Sequence, residues 1–336
     1  MSAILCFVIA SSISPAEAQL HPRRMNRGRL DMRRGATDTQ RAAARKARAE
    51  RRRRRTSARR AGWIVCTLLV AGGGIPGEVQ GESQSRGRIV SVAVEGTALE
   101  VRLASGRRLS GADLTGASLT LVAPHGTVPQ HVRIDAVAVD PRDPERETLL
   151  YQMSAVDPRT GRSESLCAPN AQGERWVFPL QGQWDREGNR LTDRGFTLAC
   201  ADWALGKCVR FGYKPWKTRA DGTSLAPYHQ ACVRLVRADY CGGKGTTRDG
   251  MLIDIYDRLG IQQPDPDPKT HGLRFEAAWG PAGAVCVAHT RVTENMTLDQ
   301  LATECPRLRG HLGEQACLPP KYGVYTGEAL LYNSSR

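Results

Sequence analysis

The stretch VRLVRADYCGGKGTTRDG, residues 233–250, decides how this chain is read. It places Asp239, Tyr240 and Cys241 at the end of an apolar-faced segment and follows them with a Gly-rich, basic loop. The residues around it predict a helix: Ser224 fits an N-cap, Pro227 lies in the first turn, and Gly242 fits a left-handed stop. Tyr228, Cys232, Leu235, Val236 and Asp239 then share one face at helical spacing. Cys232 faces the core and Cys241 sits where the chain reverses, so both read as buried half-cystines. Asp239 is the anomaly, because the helix dipole and desolvation both oppose an acid there. The following loop offers it backbone N–H groups, Lys244, Thr246, Thr247 and Arg248, so Asp239 is expected to anchor that loop. The loop is not a phosphate cradle, since the G-x-x-x-x-G-K-[ST] spacing is absent.

Downstream, MLIDIYD (251–257) reads as a strand, and RFEAAWGPAGAVCVAHTRV (274–292) as a hairpin around GPAG with Cys286 in its second strand. TLDQLATEC (297–305) has Thr297 and Gln300 at capping-box spacing and predicts a short helix ending at Cys305 and Pro306. Residues 321–336 are expected to be a loosely held tail. Upstream, RIVSVAVEG (88–96), ALEVRLASGRRL (98–109), SLTLVA (118–123), VRIDAVAVD (132–140) and LLYQMSAVD (149–157) are short β-type runs separated by turn residues. The two A-x-L units of LSGADLTGASLT (109–120) are too few to stack as a solenoid and read as turns. A further short helix is expected around Ala201–Lys207. The fold class is therefore α+β and β-rich. A small β domain at 86–165, sandwich- or barrel-like, is followed by a disulfide-stapled α+β domain at 166–320.

The net charge of +14 invites a nucleic-acid or membrane partner, but its distribution argues otherwise. Residues 21–60 hold 17 of the 48 Lys and Arg against three acids, Asp31, Asp38 and Glu50, which is the whole surplus. The remainder is neutral and has no basic footprint for DNA or RNA. Residues 61–77, AGWIVCTLLVAGGGIPG, are uncharged and apolar, follow RRRRRTSARR and exit through small residues, which is the build of a secretory signal. At about 20 residues for a bilayer span, the stretch is marginal as an anchor. Either fate exports everything beyond residue 80, and any membrane contact runs through the 1–80 leader. MSAILCFVIASSISPAEAQ (1–19) is also signal-like but lacks a basic n-region, which points to a true start at Met25, Met32 or later.

Cys6 and Cys66 lie in the leader, which leaves Cys167, Cys200, Cys208, Cys232, Cys241, Cys286, Cys305 and Cys317. An even count in an oxidising compartment predicts up to four disulfides, with connectivity open among 105 pairings. No C-x-x-C pair occurs, and H-x-x-C at His229 and Cys232 alone is too weak to assign a metal, so no metal or cofactor is expected. The sequons at Asn295 and Asn333 read as structural.

At ACADWALGKCVRFGYKPW, HQACVRLVRADYCGGKGTTRDG, FEAAWGPAGAVCVAHTRV and CPRL the chain resembles the bacterial ADYC domain family, named for the tetrad that stands here as Ala238, Asp239, Tyr240 and Cys241. The resemblance covers roughly 165–310 and implies an exported, cysteine-rich protein with no catalytic residues to carry over. From the residues themselves, the first expectation is a non-enzymatic binding or structural module of the cell envelope or medium, with a protein or glycan as partner. Trp203, Tyr213 and Trp216 are candidates for a contact patch, although aromatics at this density are more often core. The alternative is a secreted hydrolase with a site at His229, Asp239, Cys241 and the 242–250 loop, with Asp254 or Asp257 orienting a base. Against a cysteine nucleophile, its free thiol would leave an odd cysteine among the eight.

Overall fold

The computed structural model describes residues 5–8, 64–67, 89–121, 130–266, 272–320 and 327–336. The basic arm, most of the 61–77 segment and the starts expected at Met25 and Met32 lie outside the described residues. From the leader only two short strands are described, β1 (Leu5–Val8) and β2 (Ile64–Thr67). The described residues fall in one compact unit.

Alternating Val, Ile and Leu make the first half strands, as expected. β3 (Ile89–Glu95), β4 (Ala98–Leu103) and β5 (Arg108–Ser110) form a three-stranded antiparallel sheet. The larger sheet collects β6 (Ser118–Leu121), β7 (Gln130–Val139), β8 (Leu149–Val156), β9 (Ser163–Ser165), β10 (Trp176–Trp184) and β11 (Arg190–Cys200), with β1 and β2 at one edge. Its order is β2-β1-β11-β10-β8-β7-β6, with β9 beside β8. Leu99, Val101, Leu119, Ile134, Met153, Val177 and Leu198 build the core beneath these strands.

This sheet departs from the expected division at residue 165, because β10 from the second half pairs with β8 from the first at Trp176–Gln152 and Val177–Tyr151. Hydrogen bonding across that position leaves no linker there.

Beyond β11 run α1 (Ala204–Arg210), α2 (Ala226–Arg237), β12 (Ile253–Asp257), β13 (Arg274–Gly280), β14 (Gly283–Val287), α3 (Leu298–Glu304) and β15 (Leu331–Ser335). α3 opens with the expected capping box: Thr297 Oγ1 accepts from Gln300 N–H, and the Gln300 amide accepts from Thr297 N–H. α2 differs from expectation at both ends. Leu225 rather than Ser224 precedes its first residue, and Ala238, at φ 48° and ψ 46°, provides the left-handed stop in place of Gly242.

The four-stranded sheet of this half runs β12-β15-β13-β14. Residues 331–335 are therefore not a loose tail. All five are buried, and β15 pairs with β12 on one side and β13 on the other. The alternation in LYNSS is too polar to announce a strand; the segment is fixed by two neighbouring ladders and by Asn333.

Three disulfides form among the described residues: Cys167–Cys200, Cys208–Cys232 and Cys286–Cys317. Each staples a local unit, β11 to the segment before β10, α1 to α2, and β14 to the segment after α3. A loop of this size is stabilised by about 3 kcal/mol per bond. Three intramolecular disulfides fit an oxidising, extracellular-type environment. The fourth expected pair is absent, and Cys241 and Cys305 carry free thiols.

Because β15 bridges two strands, deletion of Gly327–Arg336 is expected to abolish the cooperative thermal transition of the second half and to make it sensitive to limited proteolysis. A melting curve that survives the deletion would mean that β15 is an accessory strand.

Candidate functional site

The tetrad forms a corner built almost wholly of backbone capping. As Ala238 turns left-handed, its N–H reaches the Leu235 carbonyl at 3.0 Å and the Asp239 N–H reaches that of Arg234 at 2.8 Å. The reversal folds the Asp239 carboxylate, with no solvent exposure, under the following loop. Its Oδ1 accepts the N–H groups of Gly242, Gly243 and Lys244 at 2.8, 2.8 and 2.9 Å, and its Oδ2 accepts from Arg234 Nη1 at 2.7 Å. Asp239 thus anchors the loop as expected, though through the backbone of Lys244 rather than its ammonium group.

The remaining helix-end carbonyls are capped from beneath. Arg291 donates to Leu235 and Val236 at 2.9 and 3.2 Å, while Thr246 donates its N–H to Arg237 and its hydroxyl to Ala238. A cation at a helix C-terminus also opposes the dipole favourably. Arg291 is held in turn by Glu276, whose carboxylate takes its Nε and Nη2 at 2.9 and 3.0 Å. Glu276 also accepts from Tyr240 Oη at 2.9 Å and Asn333 Nδ2 at 2.7 Å, and Asn333 accepts from Trp279 Nε1 at 2.7 Å. Tyr240 stacks on Trp279 with ring centroids 5.2 Å apart. Burial, followed by the Glu276 charge, pushes the Tyr240 hydroxyl well above its usual range.

The β13–β14 turn closes against this corner. Ala284 N–H donates to the Tyr240 carbonyl at 2.9 Å, and Arg234 Nε to that of Pro281 at 3.2 Å. The approach is close enough to require glycine: a Cβ on Gly283 would stand 2.5 Å from the Tyr240 oxygen, and one on Gly242 2.5 Å from the Ala282 oxygen. Arg307, just past α3, donates to the carbonyls of Tyr240 at 2.6 Å, Ala282 at 3.0 Å, and Ala284.

Of the proposed hydrolase residues, His229 is not brought to Asp239, Cys241 and the 242–250 loop. His229 lies eight residues before the end of α2, about 12 Å along the axis from Arg237. It is 1% exposed, packs edge-on against Trp184, and donates Nε2–H to the Leu205 carbonyl at 3.0 Å. Burial lowers its pKa to about 4. Cys241 is pushed up to about 12, first by burial and then by a hydrogen bond with the Cys305 thiol, which is the reverse of nucleophile activation. Asp257 accepts from Tyr213 Oη at 2.8 Å and from Leu259 and Gln262 N–H at 2.6 Å each, so it shapes a turn; Asp254 accepts from Asp265 N–H at 3.2 Å. The aromatics follow the core placement expected at this density. Tyr213 is fully buried, and Trp203 and Trp216 pack against the two cores.

A second concavity of about 380 Å³ opens between the β7–β8 turn and the segment joining α1 to α2. Its buried Lys214 ammonium donates to Asp143, Glu145 and Glu147 at 2.9, 2.7 and 2.8 Å. Burial opposes the charges of Asp143 and Lys214, yet hydrogen bonds outweigh it: those from Lys214 and Thr148 lower Asp143, and those to Glu145, Glu147 and Asp143 raise Lys214. Hydrogen bonds from Lys214 and Lys217 hold Glu145 at about 2. Neither this cluster nor Glu276–Arg291 was foreseen. Glu276 alone left a trace in the sequence, as a lone acid inside the apolar strand RFEAAWG.

Replacing Asp239 with Asn leaves Arg234 buried without its counter-charge, and is expected to destabilise the fold by roughly 3–5 kcal/mol in chemical denaturation. An unchanged midpoint would show that the loop does not need the charge. His229 supplies a pH signature. Its folded pKa lies below the unfolded value of about 6.5, so the unfolded chain takes up the proton first as pH falls. The stability it permits is complete above pH 6.5 and declines between pH 6.5 and 4, by about 3 kcal/mol. In His229→Gln, which keeps a donor for Leu205, that window should be flat, with acid loss confined to the carboxylate range.

The ADYC domain model matches residues 111–293, from the turn before β6 to just past Arg291, and so extends well upstream of the 165–310 stretch marked by the sequence motifs. No curated protein and no solved structure matches the chain. With more than half its length covered, and with Asp239 and Tyr240 of the tetrad at the centre of the helix-end corner, the chain belongs to the ADYC domain family.

Proposed function

We propose that this protein is exported to the cell envelope or medium and works there as a non-enzymatic binding or structural module for a protein or glycan partner. The observation that carries the reading is the use to which the chemically capable groups are put. Asp239 is fully engaged with Arg234 and three backbone N–H groups, His229 is sealed against Trp184 and Leu205, and the Cys241 thiol is held protonated. Rigid capping of this kind builds a scaffold and leaves no base poised beside a nucleophile. Export is supported by the three disulfides and by the signal-like character of residues 61–77.

The concavity beside Lys214 is of the size that small ligands occupy. Its lining mixes charged side chains with apolar ones such as Val209, Leu225 and Ile261, which suits a glycan that offers both hydroxyl or acidic groups and apolar sugar faces. Arg142 and Arg219 on its rim have side chains 52% and 40% exposed, with carboxylates no nearer than 3.7 and 3.9 Å, so both are free to turn toward a partner.

Expressed with its own leader, the full chain should be recovered outside the cytoplasm. On a glycan array it should bind at least one class of acidic glycan, with a loss of about tenfold in Arg142→Glu/Arg219→Glu, the worth of roughly one good ionic contact. Retention in the cytoplasm would overturn the export reading. Turnover of ester, amide or glycoside substrates that Cys241→Ser abolishes without lowering the melting temperature would replace the module with an enzyme.

A further inference from the structure

We infer that Cys241 and Cys305 are a site of covalent modification, closing as a fourth disulfide that clasps the tetrad corner to the end of α3. The other six cysteines outside the leader are already paired, so each of these thiols has the other as its remaining partner. Cys305 lies in the core against which Cys241 packs, and its thiol acts on that of Cys241. Their backbones are registered by a separate interaction. Arg307, two residues beyond Cys305, holds the carbonyl of Tyr240, the residue before Cys241, at 2.6 Å, and its other bonds fix the β13–β14 turn lying between them. Arg307 therefore holds the two backbone segments beside one another before closure.

Closure is a two-electron oxidation and takes a small disulfide as oxidant. One cysteine thiolate attacks a sulfur of the oxidant's S–S bond, forming a mixed disulfide and releasing one thiolate. The second cysteine, having lost its proton to solvent, attacks the protein-side sulfur and expels the other thiolate, so that two protein thiols are oxidised and the oxidant is reduced to two thiols. Cys241 is the entry point, being partly exposed while Cys305 is buried. Because burial and its neighbour raise the Cys241 thiol, little thiolate exists at neutral pH, and the clasp should be the slowest of the four bonds to close.

Tryptic cleavage isolates the two cysteines on separate peptides, 238–244 (ADYCGGK) and 292–307 (VTENMTLDQLATECPR). The full-length exported protein is equilibrated with oxidised glutathione, alkylated without reduction and digested. The expected result is a linked 238–244/292–307 species two hydrogens lighter than the sum of its peptides, with neither cysteine alkylated until reduction. Closure should accelerate about tenfold per pH unit between pH 7 and 9. It should also raise the melting temperature by about 10 °C, a gain absent from Cys305→Ser. Alkylation of both thiols while the other three disulfides stay intact would overturn the clasp, as would Cys241 linked to glutathione or to a second chain. None of these outcomes depends on whether the protein binds a glycan.

Discussion

The Asp239 carboxylate is the constraint on which the second half of the molecule is arranged. Once α2 has been stopped by Ala238, the chain reverses over the buried Asp239 side chain, and three consecutive loop N–H groups turn inward onto it. One carboxylate oxygen satisfies all three, while Arg234 from the last turn of the same helix neutralises the charge on the other. An uncompensated acid at this depth would cost several kcal/mol, so the aspartate and arginine are meaningful only as a pair. The left-handed alanine follows from the same demand, because the turn it makes is what aims Asp239 back beneath the loop.

Tyr240 extends the arrangement to the sheet. Its backbone carbonyl receives the β13–β14 turn and Arg307, while its hydroxyl joins Glu276, the acid that also holds Arg291 and Asn333. Arg291 then returns to the carbonyls that end α2, so the circuit closes on the helix where it began. A half-satisfied network of this sort would be worse than an apolar core, and here the carboxylate oxygens of Asp239 and Glu276 are all engaged. The consecutive residues Asp239, Tyr240 and Cys241 face three different elements: the loop, the sheet, and the end of α3.

What the sequence revealed tracks how local each signal is. The strands of the first half, the GPAG hairpin, the Thr297–Gln300 cap and the anchoring role of Asp239 rest on alternation, turn residues and neighbours within a few positions, and these were legible. β15 was not, since Tyr332, Asn333, Ser334 and Ser335 are buried by partners from β12 and β13 about 55 to 80 residues away. Glu276 and Arg291 were missed for a related reason. They are 15 residues apart and complement one another only after the hairpin folds, so neither announces its partner. His229, Asp239 and Cys241 looked like a reactive set because residue type is visible in a sequence, whereas the 12 Å of helix between the first and the others is visible only once α2 is drawn.

The family match and the physical unit are not the same length of chain. The match ends at residue 293, yet Asn333 supplies hydrogen bonds to both Glu276 and Trp279, and Arg307 holds the tetrad's own backbone. A segment restricted to 111–293 would leave β13 without a partner on one side and Glu276 short of a donor in the core. At the other boundary the disulfides do nothing to join the halves, because each spans only 24 to 33 residues. Beside the β8–β10 ladder and the shared core, ion pairs reach across about 70 residues: Arg210 to Asp140, and Lys214 to Asp143. Covalent bonds therefore stiffen local units, while buried charge pairs, which tolerate little displacement before their desolvation cost goes uncompensated, set how those units meet.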